Sequence, residues 1–144
     1  MNLFDYFEEE HKVMEENLVE LEKNYLTWSH ERVFVRASKL FDGINRHFDR
    51  QETLLLQQLT EIPELEDVIA ACERDREELL GLINDLVMDH IDSPDWRENL
   101  GKLLKAVRKH IEFSDKELYK TIKEVLPESK LKQLHLLMRI KLFA

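Results

Sequence analysis

The sequence predicts an all-α protein: an up-down-up-down antiparallel four-helix bundle with a short C-terminal fifth helix. Three observations carry that reading. Only 3 glycines and 3 prolines interrupt the 144 residues, while Leu, Glu and Lys abound. Long stretches place apolar residues three and four apart, the period of one helix face. The breaks between those stretches are short, which makes successive helices antiparallel neighbours.

The first helix is expected over residues 3–25, with Asn2 and Asp5 forming an N-cap arrangement. Its core line is Phe4, Phe7, His11, Met14, Leu18, Leu21 and Tyr25, apolar or aromatic except at His11. A short connection comes next, in which Ser29 is the expected N-cap and His30 a surface loop residue without a role. The second helix is expected over residues 31–59. Its line is Val33, Ala37, Leu40, Ile44, His47, Gln51 and Leu54, and its polar exceptions cluster at His47 and Gln51. Pro63 suits the first turn of a third helix over residues 63–89. That line is Leu65, Ile69, Cys72, Arg76, Leu79, Ile83 and Leu86. Arg76 is its surprise: it either snorkels outward along its stem or points inward and needs an acceptor.

Ser93 as N-cap and Pro94 at the first position start a fourth helix that continues to Val125. Leu100, Leu103 and Val107 lead into His110, with Leu118 and Val125 beyond it, and Asp115 lies beside that stripe. His90 falls in the preceding loop. Pro127 breaks the chain, and residues 128–143 form the fifth helix, with Leu131, Leu134, Met138 and Leu142 on one side and His135 peripheral. That apolar side suits closing one end of the bundle or packing against a second copy or another protein, and the spacing does not choose.

The length suits one domain over residues 1–144 with a real core. A net charge of −9 opposes nucleic acid and anionic membrane. No run reaches the roughly 20 apolar residues of a membrane span. The single cysteine, Cys72, and a first segment that turns acidic at once lead to a cytoplasmic expectation.

A polar side chain on a core line must be satisfied by partners or by a metal. One histidine there is ordinarily a hydrogen-bonded core residue. His11, His47 and His110 come from three helices, and alternating chain directions can bring them into one layer.

With these residues in view, the chain resembles the hemerythrin and hemerythrin-like (HHE cation-binding) family. The matching pieces are Glu10-His11-Lys12, His47-Phe48 followed by Glu52, and His110-Ile111 with Asp115-Lys116. The resemblance implies a four-helix bundle around a non-haem di-iron centre that binds oxygen, or stores or senses iron, oxygen or nitric oxide. It implies ligand positions at His11, His47, His110 and Asp115. It also exposes departures. Gln51 stands where the family has a bridging carboxylate, with Glu52 one step round the helix. The third helix offers Cys72 and Arg76, or in a register shifted by one Ala71 and Asp75, where classical members have histidines. Gln51, Glu52 and Cys72 are therefore weaker candidates.

Two readings are compatible with these residues. In the first, one metal survives on His11, His47 and Asp115; two histidines and a carboxylate suit non-haem iron, with manganese or zinc able to occupy the same set. In the second, the bundle is metal-free, Arg76 replaces the cation by bridging Asp115 and Gln51, and the protein acts as an interaction or structural module. An oxygen- or peroxide-activating enzyme ranks last, because no nucleophile, phosphate loop or general-base constellation is evident elsewhere.

Overall fold

The computed structural model describes residues 2–143. These form an all-α bundle without strands among the described residues: α1 (Leu3–Asn24), α2 (His30–Leu54), α3 (Glu66–Met88), α4 (Trp96–Phe113), α5 (Tyr119–Val125) and α6 (Glu128–Phe143). A π-helical turn, Ser114–Leu118, joins α4 to α5, so the fourth rod runs unbroken from 96 to 125.

Local chemistry sets the ends. Asn2 Oδ1 accepts from the Asp5 N–H at 2.9 Å, and Asp5 returns the bond to the Asn2 N–H at 3.3 Å, closing a capping box on α1. Ser29 Oγ accepts from the Arg32 N–H at 3.2 Å, which leaves His30 as the exposed first residue of α2.

Two expected boundaries are corrected. The second helix stops at Leu54 instead of residue 59, and Leu56–Gln58 tightens into a 3₁₀ turn. Leu54, Leu55, Leu56 and Leu59 are all buried. At about 100° per residue these four would fan over more than half of a continuous helix, so the chain must tighten to turn them all inward. The fourth rod starts at Trp96 with Asp95 at the cap position, and Ser93 offers its carbonyl to the Trp96 N–H in place of a side-chain cap. The buried Trp96 indole donates to the Leu86 carbonyl at 3.0 Å, and this anchor sets where the rod begins.

α1 packs against α2 and α4, and α3 against α4 and α2. The core has two apolar halves. One gathers Met14, Leu18, Leu40, Ile44, Leu79, Leu100 and Val107 with their neighbours. The other gathers Leu3, Phe4, Phe7, Leu55, Leu65, Leu118, Tyr119 and Ile122. α6 covers this second half, burying Leu134 and Met138. His135 is half-buried, and its Nδ1 accepts from the Leu3 N–H at 3.1 Å, satisfying one of the first amides of α1. The buried polar residues His11, His47, Gln51, His110 and Ser114 lie outside both apolar halves.

Candidate metal centre

α1, α2 and α4 each deliver one histidine to the same place. His11, His47 and His110 are 2%, 0% and 0% exposed. His11 Nε2 and His47 Nε2 stand 3.2 Å apart, and His110 Nε2 and His47 Nε2 3.3 Å. All three potential ligand atoms lie within 4.8 Å of one another. Aromatic rings hold the imidazoles: Tyr119 stacks on His11, Phe7 meets His47 edge-on, and Phe48 packs against His110 at 4.8 Å.

Each ring is held from its other nitrogen by a carboxylate. His11 Nδ1 bonds Asp115 Oδ1 at 2.8 Å, His47 Nδ1 bonds Glu10 Oε1 at 3.0 Å, and His110 Nδ1 bonds Asp75. An ionised carboxylate only accepts, so each Nδ1 must carry the proton. Burial pushes the Glu10 carboxyl up, but His47 and Arg50, the latter at 2.6 Å, outweigh it and hold Glu10 below the usual range. Burial also drives His47 down to about 4 and lowers His110, in each case against the pull of the partner carboxylate. With each Nδ1 engaged by a carboxylate, the Nε2 atoms of the three rings are turned toward one another.

Asp115 is the second residue of the π turn at 114–118, and from this solvent-exposed position it meets His11 from outside. Asp115 is thus held at an imidazole Nδ1 and is not among the converging atoms.

Gln51, Cys72 and Glu52 stand elsewhere. Gln51 Nε2 donates to the Tyr119 hydroxyl at 3.0 Å, and Cys72 Sγ donates to Gln51 Oε1 at 3.4 Å. Glu52 lies on Arg76 at 3.6 Å. The sequence leaves Arg76 open between an outward and an inward course. Its guanidinium, whose Nε is buried without a hydrogen-bond partner, approaches Glu52, while Asp115 meets His11 and Gln51 is bonded to Tyr119 and Cys72. On α3 it is Cys72 and Asp75, three apart, that reach inward, so neither expected register holds as a pair. Sequence does not identify two carboxylates of the site as imidazole partners: it offers Glu10 only within the matching piece Glu10-His11-Lys12, and Asp75 only as the shifted-register alternative on the third helix. The available signal was adjacency: Glu10 precedes a core histidine, and Asp75 flanks a core line.

A cation fits this arrangement. Metal–imidazole bonds of about 2.0–2.1 Å set neighbouring donor nitrogens about 2.8–3.4 Å apart for right-angle to tetrahedral geometry. The 3.2 and 3.3 Å separations fall inside that window. Histidines that ligate metal commonly donate their second N–H to a carboxylate, as all three do here.

No curated protein and no solved structure matches the chain. The model of the hemerythrin HHE cation-binding domain matches residues 2–122, all of the bundle up to α5 and short of α6. With that span covered and three buried histidines able to hold a metal, the chain belongs to the hemerythrin HHE cation-binding domain family.

Proposed function

We propose that the protein holds one divalent first-row metal ion on His11, His47 and His110 through their Nε2 atoms. Iron is the metal that the resemblance implies, and manganese or zinc would be served by the same donors. The carrying observation is the convergence of three Nε2 atoms whose Nδ1 partners are all carboxylates. A proton is a poor substitute, since burial holds His47 to about 4. Arg76 lies 3.6 Å from Glu52, which supports the metal reading over one in which a guanidinium takes the cation's place.

With three protein donors, a bound metal would keep open positions for dioxygen or another small ligand, which suits binding or sensing. The chain's own residues supply the rest. The imidazoles bind; Glu10, Asp75 and Asp115 fix their tautomers and raise their basicity; Phe7, Phe48 and Tyr119 exclude water.

The test is metal analysis after anaerobic loading with ferrous, manganous or zinc ions and removal of excess. One ion per chain is expected, and His47→Ala should abolish it, because a site with three protein ligands cannot spare one. Retention of no ion of any kind by the wild type would overturn the reading. Two ions per chain would overturn its mononuclear part.

A further inference from the structure

Ser114 and Gln51 are the buried polar residues of this layer that the centre does not use, and Gln51 is already bonded to Tyr119 and Cys72. Ser114 lies one turn after His110 at the start of the π turn and is 0% exposed. Its Oγ stands 3.5 Å from His110 Nε2, the one hydrogen-bond partner its side chain has among the described residues. That nitrogen is one of the three proposed metal donors. A lone pair given to a metal cannot also accept a hydrogen bond. The hydroxyl would then be left in a dry interior next to a metal donor with no acceptor, and buried donors rarely stay unpaired.

We propose that Ser114 forms the small-ligand subsite of the centre: its hydroxyl donates a hydrogen bond to a small anion or diatomic ligand held at the metal. The proposal rests on the three-histidine reading and deepens it. The favoured ligand has a lone-pair atom next to the bound one and is small, since aromatic rings wall the layer.

The experiment loads wild type, Ser114→Ala and Ser114→Thr with cobalt(II), measures metal content, and titrates each with azide by visible absorption. All three should hold the same metal. Azide should bind Ser114→Ala on the order of tenfold more weakly, the scale of one charge-assisted hydrogen bond. Ser114→Thr, which keeps the hydroxyl, should stay close to wild type. Equal azide affinity at equal metal content would overturn the proposal and assign the hydroxyl to a backbone carbonyl. Loss of metal from Ser114→Ala alone would also overturn it, by making Ser114 a support of the metal itself. A wild type without metal would overturn the centre and the subsite together, and the metal analysis distinguishes that failure from the other two.

Discussion

Glu10 and Asp75 show how much a single carboxylate can decide. Each fixes which imidazole nitrogen is free, and neither is among the converging donors. Glu10→Gln and Asp75→Asn keep an acceptor oxygen but remove the charge that raises ligand basicity. Each should weaken metal binding by roughly 10–100-fold, read by competition with a chelator of known affinity. Unchanged affinity would show that the carboxylates only fill space. Cys72 makes the opposite case. It is 1% exposed, and burial, followed by Asp75 and Glu52, pushes its thiol up to about 12. Iodoacetamide should therefore leave the native protein almost unmodified and alkylate Cys72 rapidly in urea. At residue scale the histidines were legible because they break apolar lines. Glu10 and Asp75 were not: among 30 acidic residues, a carboxylate on the flank of a helix looks like any other solvated one. The course of Arg76 was not legible for a related reason. A long stem on a core line can carry the charge toward the edge, and Arg76 meets Glu52 there with its Nε still buried. Arg76→Met leaves the partly buried Glu52 without its partner and should cost about 1–3 kcal/mol in urea unfolding, whereas a loss within about 0–1 kcal/mol would show that the pair is solvated.

At the scale of elements, the three-and-four spacing made the helices legible and their interruptions illegible. Nothing in the apolar period marks where four leucines at 54, 55, 56 and 59 must all turn inward. The π turn was hidden in the same way, because the core positions on both sides of it stay in phase with the bundle. Such a turn accommodates an extra residue within a helix, so removing one should restore regular winding without disturbing α5. Lys116 is exposed and lies inside the turn. Its deletion should leave Leu118, Tyr119 and Ile122 packed and the helical circular-dichroism signal intact. Asp115 would rotate away from His11, and metal affinity would fall. A deletion variant that unfolds, or one that binds metal as tightly as wild type, would count against this account of the turn.

For the whole molecule, a polar layer distinct from both apolar halves of the core ties stability to the protonation of the layer. His47 titrates near 6.5 when the chain is unfolded and near 4 when it is folded, chiefly because burial disfavours the charged ring. Between these two values the unfolded chain binds the proton and the folded one does not, so stability rises with pH. The contribution is fully present above about pH 6.5 and is lost as pH falls toward 4. A difference from 6.5 to about 4 corresponds to roughly 3 kcal/mol for His47 alone. His110, also lowered by burial, acts in the same direction. Urea unfolding of metal-free protein in chelator should therefore show midpoints that fall steadily across this window. A metal that binds the folded layer alone adds stability by mass action, and protons compete with it for the same nitrogens. Added ferrous or zinc ion should raise the midpoint strongly at pH 7 and little at pH 5. Midpoints in chelator that stay flat from pH 6.5 to 4 would mean that water reaches His47 in the folded state. A metal effect equal at both pH values would mean that the ion binds on the acidic surface and not between the three histidines.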